Sequence, residues 1–300
     1  MGGMADTIFT AVDLSRLPAP DVVEALDFDT LFAAAVARMK EEMPQFEARL
    51  SDPSTKNLLV TAYVAQLLRQ RVNDAARAVM PAFSTKGDLD NLAAAFGITR
   101  YELEPEDPQA GTDAVMESDT DFRRRMVLAP EGYSVAGPEG SYIFHALTAD
   151  ADVLDASAIS PAPGEVLVSI LSRQGDGAAA PDLIATVEAY LSADIRRPLT
   201  DYVTVQSAQI ISYAIIAAFT LFAGPDAGVV LARARANVEA YVADCHRLGR
   251  DVTLSGLYAA LHVEGVQKVD LISPTADIVI SRQQAPWCSG ITLSLAGNGE

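Results

Sequence analysis

Apolar positions between Thr55 and Met80 fall on two neighbouring lines. Val60, Val64, Leu68, Val72 and Ala76 recur at four-residue spacing, and Leu59, Tyr63 and Leu67 form a second stripe beside them. Neither Gly nor Pro interrupts the stretch, so the spacing predicts one long helix over 55–80. Its apolar surface is wider than the single stripe of a surface helix. Two readings satisfy it: burial inside its own domain, or a bundle shared with helices of another chain. Upstream, Asp27 or Asp29 can cap a helix through Leu31, Ala35 and Met39, which Pro44 ends. A short third helix over 89–96 follows Gly87-Asp88 and stops at Gly97.

The pattern changes character after residue 118. Ser118-x-x-Asp121 opens a helix as a variant capping box, with Asp in place of the usual Glu. Residues 152–159 and 166–171 read as a strand pair joined by Pro161-Ala162-Pro163-Gly164, and Pro181 suits the first turn of a helix over 182–193. A strand over 201–206 and a longer one over 210–222 precede helices over 229–246 and 254–263, and strands over 266–272 and 276–281 close the pattern. Ala146-Leu147, Val153 and Ile159-Ser160-Pro161 recur at a nearly constant offset as Ala260-Leu261, Val266 and Ile272-Ser273-Pro274, and Val-Glu-Ala-Tyr occurs at 187–190 and again at 238–241. Two similar α+β modules explain this echo, and chance matching among common residues is the alternative. Each module should be a helix on an antiparallel strand pair, because the linking turn is too short for a parallel crossover.

The fold class that follows is α+β: an N-terminal helical bundle module, then two similar small α+β domains. The expected boundaries are an arm over 1–26, a helical domain over 27–100, a linker over 101–117, a first α+β domain over 118–206 and a second over 207–300. Leu17-Pro18-Ala19-Pro20 makes the end of the arm an extended strap, with Val12, Leu14 and Leu17 as its apolar contacts. The linker assignment rests on two prolines and five acidic residues between Tyr101 and Asp113.

Charge narrows the partners. The chain of 300 residues carries 22 Lys and Arg against 40 Asp and Glu, a net charge of −18. That balance opposes nucleic acid, whose phosphates need clustered Lys and Arg, and it opposes an anionic membrane surface. The longest apolar run, Ile210 to Ala223, is broken by Ser212 and Thr220 and is shorter than the ~20 residues of a membrane span. The start has neither the basic end nor the apolar run of a signal peptide. Two cysteines, Cys245 and Cys288, make no disulfide framework. A soluble product of a reducing compartment is the expectation.

No motif for chemistry emerges. His145, His246 and His262 lack metal-site spacing, and Cys245-His246 are adjacent rather than one helical turn apart. No Gly-x-Ser-x-Gly elbow occurs. The best glycine-rich loop, Gly132 to Gly140, carries Glu139 where a phosphate cradle wants Lys, and reads as a tight connection into a helix near Pro138. Gly175-Asp176-Gly177 reads as a turn, not half a calcium loop. Arg123-Arg124-Arg125 is the densest basic run, but neighbouring helix positions splay by about 100°, so the three make no single patch. No cofactor and no metal is expected. A dispersed carboxylate pair stays open as an enzymatic reading, such as a cell-wall hydrolase.

Several segments, in order along nearly the whole chain, carry a resemblance. They are Asp13 to Pro20, Val23 to Phe28, Arg71 to Met80, Asp88 to Leu92, Glu117 to Asp121, Ser134 to Gly137, Leu171 to Arg173, Thr204 to Ala208, and His246 to Asp251 continuing to Tyr258 through Gln267. In these segments the sequence resembles the baseplate J-like wedge family of contractile-tailed phages and tail-like bacteriocins. The resemblance implies a structural virion protein, assembled in the host cytoplasm, with no active site. It implies partners in other copies of itself, a smaller protein I-like wedge component, the sheath initiator, and the central hub and spike. A helical bundle would hold each wedge, and α+β domains would join wedges into a ring that relays the contraction signal to the sheath. Leu59, Tyr63 and Leu67 are the expected bundle contacts. Like-charged wedges repel, so ring closure should need either basic partners or Arg-centred joints, with Arg123, Arg124, Arg125, Arg196, Arg197, Arg247 and Arg250 as the candidates. The wedge of a bacteriocin or other contractile injection system is the alternative within this class.

Overall fold

The computed structural model describes residues 14, 17, 18, 20–224 and 226–299. The expected contact of Val12 lies outside the described residues. The chain forms two compact units. One holds the described residues up to Arg100 together with Ser118–Met126, and the other holds Tyr101–Glu117 together with the chain from Val127 onward.

In the first unit, helix α1 (Phe28–Glu42) starts where the Asp27 carboxylate accepts the Thr30 N–H at 2.8 Å. Its C-cap, Met43, precedes Pro44, and a residue before proline is disfavoured in the α region. Helix α2 (Pro53–Ala78) has Asp52 as N-cap and Pro53 at its first position. The two helices pack against each other. Asn73, buried on α2, accepts the Glu24 N–H at 3.0 Å and donates to the Glu24 carbonyl at 2.9 Å. One side chain thus fastens the strap before α1 to α2. Helix α3 (Lys86–Ala94) buries Leu89 and Ala93. Helix α4 (Asp119–Leu128) begins with the Ser118 hydroxyl accepting the Asp121 N–H, as the capping box requires, and it buries Phe122. The Arg100 and Arg125 guanidiniums lie 4.8 and 5.4 Å from the Phe122 ring centroid, and Arg100 also pairs with Asp90 and Asp119.

The second unit opens differently from expectation. The segment read as a linker folds as a small antiparallel hairpin, β1 (Glu102–Glu104) with β2 (Val115–Met116). Its ends are pinned. The Tyr101 hydroxyl donates to the Thr148 carbonyl at 3.1 Å, and buried Glu117 lies 3.9 Å from Arg173 and accepts the Tyr101 N–H. Anchors at both ends of an acidic loop bring its arms together, a contact that prolines and charge alone do not announce.

Beyond a 3-10 turn (Ala129–Tyr133), helix α5 (Glu139–Ala149) leads into strands β3 (Val153–Ile159) and β4 (Glu165–Ser172), then helix α6 (Pro181–Leu191) and β5 (Tyr202–Ser207). The sheet order is β3-β4-β5, with β3 antiparallel and β5 parallel to the central β4. A second sheet repeats this arrangement with different wiring. Its central strand is β6 (Gln209–Leu221), followed by helices α7 (Ala227–Cys245) and α8 (Leu254–Leu261), β7 (Val266–Ser273) and β8 (Gln284–Asn298). β7 is antiparallel to β6, and β8 is parallel to it. Both copies therefore hold a helix leading into an antiparallel edge strand, but β7 pairs with β6, which precedes it, and not with a strand after it. The expected strand 276–281 is not formed. There Asp277 accepts the Leu254 N–H at 2.7 Å and Ile278 makes an isolated bridge to Val252, so the segment serves the start of α8.

Ile215, Ala217, Phe219 and Leu221 on β6 form the core of the second module with Val230, Ala234, Val238, Leu257 and Leu261 from its helices. The two sheets meet through one residue, Ala208, which separates β5 from β6. Ala208 is buried with Leu171, Leu248 and Ala285. Polar contacts reinforce this joint. Buried Asp155 accepts the Leu248 N–H at 3.0 Å, Arg247 donates to the Leu154 carbonyl at 3.4 Å, and Arg282 pairs with Glu139. Gly177 adopts φ +97°, and a Cβ there would meet Leu171 Cδ1 at 2.5 Å and His246 at 3.0 Å, so only glycine lets this turn close on the joint.

Candidate assembly interface

Among the described residues of its unit, helix α2 exposes the most large apolar side chains. Over its length only Thr55, Ala62 and Asn73 are buried, and α1 buries none of its residues. Tyr63 is 55% exposed and Leu67 50% exposed, with Leu59 half-buried beside them. Val60, Val64, Leu68 and Val72 are exposed as well. Both predicted stripes lie along α2 and stay largely exposed. Scattered exposed apolar residues are ordinary on a protein surface, whereas these recur along one helix.

The arginines anticipated at joints already make bonds inside the chain. Arg123 donates to the Pro81 and Ser84 carbonyls at 2.8 and 2.5 Å. Arg125 is buried and donates to the Thr99 carbonyl at 2.7 Å, and Arg124 is half-buried on the same helix. Arg196 lies 3.7 Å from the Tyr190 ring centroid and donates to the Tyr190 carbonyl. Arg197 donates to the Ser192 and Asp201 carbonyls, both at 2.9 Å. Arg247 serves the module joint, and Arg250 forms an exposed pair with Asp244. Sequence reasoning missed Asn73 and Asp155 as fasteners. Asn73 was visible only as a polar residue within an apolar helix, and Asp155 as an acid in a strand.

A groove of about 580 Å³ lies where α7 meets β8, with Trp287, His246, Val242 and Ile291 in its lining. Among the described residues, Glu239 is the one carboxylate lining it, whereas glycoside hydrolysis uses two. Burial pushes the Cys288 thiol above its usual pKa, the opposite of an activated nucleophile. Among the described residues, no group of three His, Cys, Asp or Glu side chains is placed to hold a metal.

Three family models match the chain in succession: the Baseplate J-like N-terminal domain over residues 51–107, the Baseplate J-like central domain over 134–207 and the Baseplate J-like protein C-terminal domain over 213–294. The chain belongs to the baseplate J-like family. It is 46% identical over 299 residues to Baseplate protein J of Escherichia phage P2, covering 96% of this chain and 99% of that protein. It is also similar to a chain of the anti-feeding prophage baseplate, a cryo-EM structure symmetrised six-fold, with a TM-score of 0.41 and 16% identity over 63% of this chain and 47% of the other. As a baseplate J-like protein, the chain is a structural baseplate component of a contractile tail and works among other baseplate proteins. Within the family models, the central domain spans β3 to β5 and the C-terminal domain spans most of β6 to β8.

Proposed function

We propose that the chain is the wedge of the baseplate. It forms a ring around the central hub, relays contraction to the sheath, assembles in the host cytoplasm, and has no catalytic role. Its partners are further copies of itself, a smaller protein I-like component, the sheath initiator, and the hub and spike proteins. The observation that carries this reading is the open face of α2. A helix of 26 residues that buries three side chains is stabilised mainly by packing against helices from elsewhere. Leu59, Tyr63 and Leu67 supply that contact. The arginines hold the chain's own loops and joints in the shape that neighbours meet.

The test replaces Tyr63 and Leu67 together with Ser and follows two quantities. Thermal unfolding of the isolated chain should move little, because exposed substitutions usually change stability by about 0.5 kcal/mol or less. Incorporation into tail particles should collapse. Normal incorporation of a chain that folds normally would remove the bundle from the account.

A further inference from the structure

The chain closes most edges of its two α+β sheets with its own groups. On β3, Arg247 donates to the Leu154 carbonyl at 3.4 Å, the Asp155 carboxylate accepts the Ala156 N–H at 2.7 Å, and Arg282 donates to the Ala158 carbonyl at 3.4 Å. β7 carries Lys268 and Asp270, charges of the kind that keep an edge from pairing. On β5, Val203 is buried and the Ser207 hydroxyl accepts the Ala179 N–H.

The first half of β8 is closed as well. Gly249 donates its N–H to the Gln284 carbonyl at 3.0 Å, and His246 Nδ1 lies 2.7 Å from the Pro286 carbonyl oxygen. The second half differs. From Ile215 with Ile291 to Phe219 with Leu295, the register against β6 runs without a shift. The Ile291 carbonyl accepts from Arg235 at 3.0 Å, so Ile291 faces away from β6. Backbone polar groups alternate sides along a strand, so the N–H and C=O of Leu293 and Leu295 face outward too. Among the described residues, no hydrogen bond reaches these outward groups, and Leu295 is 45% exposed. β8 has no charged residue along its 15, and Pro286 lies before this stretch. An edge left open in this way is a template for another strand.

We propose that Ile291–Leu295 is an acceptor edge, to which an extended, uncharged segment of another baseplate protein adds as a fourth strand. The edge itself demands the extended form, because a strand presents N–H and C=O groups at the matching repeat. Charge decides the rest. The groove beside the edge is lined by Arg235 and Glu239, which pair with each other, and by Arg247, committed to the Leu154 carbonyl. Trp287, Val242 and Ile291 make its lining largely apolar, so the occupant's side chains on that face are uncharged. A second copy would bring −18 against −18, a repulsion that an uncharged segment of a different protein avoids. On addition, Arg235 cedes the Ile291 carbonyl to an incoming N–H. The inference rests on the chain's place among other baseplate proteins and not on the α2 bundle.

The experiment compares Leu295→Pro with Leu295→Thr in the full chain. Proline removes an outward N–H, not a bond to β6, and is tolerated on an edge strand. Threonine keeps the N–H and removes the same leucine side chain. Circular dichroism checks the fold, and each variant then competes with wild-type chain for entry into tail particles. Leu295→Thr should enter as wild type does. Leu295→Pro should enter at least about tenfold less, because the added strand's carbonyl is left buried without a donor. Hydrogen exchange needs no variant and decides the case if Leu295→Pro fails to fold. The Leu293 and Leu295 amides should exchange at least about tenfold more slowly in intact particles than in the free chain. Equal entry of the two variants, or equally fast exchange in chain and particle, would overturn the proposal. Sedimentation of the free chain covers the other occupant: a dimer that Leu295→Pro abolishes would give the edge to a second copy and overturn the assignment to another protein. A failure of the α2 reading shows separately, in the variant lacking Tyr63 and Leu67.

Discussion

Replacing Asp155 with Ala should loosen the joint between the two α+β modules. Asp155 is buried, and its carboxylate accepts the Leu248 N–H at 3.0 Å and the Ala156 N–H at 2.7 Å. Alanine leaves both donors buried without that acceptor. An unsatisfied buried group costs about 1–3 kcal/mol, so the expected loss is about 3 kcal/mol. For a unit of this size, each kcal/mol lowers the melting midpoint by about 2–4 °C. The Asp155→Ala chain should therefore melt roughly 6–12 °C below the parent when followed by circular dichroism. Asp155→Asn keeps one oxygen that can accept a bond and should recover part of the loss. Hydrogen exchange adds a local readout, since the Leu248 amide should exchange faster in the alanine variant. An unchanged midpoint, or equal losses in the Ala and Asn variants, would refute the idea that this carboxylate fastens one module to the other.

Three further outcomes follow from the fold. Phe219→Ala opens a fully buried site on β6 and should cost about 3–5 kcal/mol in denaturant unfolding. Gly256→Ala places a Cβ 2.4 Å from the Tyr241 hydroxyl, which accepts the Thr253 N–H at the start of α8; the ring must move, and a loss of about 1–3 kcal/mol is expected. Burial, with Arg196 nearby, holds the pKa of His145 below its usual value. Its contribution to stability is complete above the unfolded value of about 6.5 and is lost as pH falls through the lower folded value. Denaturant unfolding of a His145→Phe chain should lose that part of the acid sensitivity, and an unchanged pH profile would show that His145 does not contribute.

Local signals made much of the fold readable. Asp27 and Pro44 bracket α1 as expected, and the uninterrupted apolar spacing gives α2 to within a few residues. Pro181 stands at the first turn of α6, and the long apolar run after Ala208 becomes β6. Long-range pairing was not readable. β8 lies 75 residues beyond its partner at Gln209 and Gln284, and its early part, Trp287-Cys288-Ser289-Gly290, lacks an alternating pattern. Ile278 and Ile280 look like strand residues, but Asp277 and Ile278 are committed to α8 and Val252. The surface of α2 was visible as surplus apolar width. Which arginines serve the chain's own carbonyls was not, because a guanidinium reads the same in sequence whether it meets a loop carbonyl or a neighbouring subunit.

The wedge account turns on what covers α2, and a reconstruction of intact tail particles at side-chain resolution measures it directly. The account predicts Tyr63 and Leu67 buried against helices of another chain, with Leu59 completing the contact. Finding all three side chains facing solvent in the assembled baseplate would contradict it.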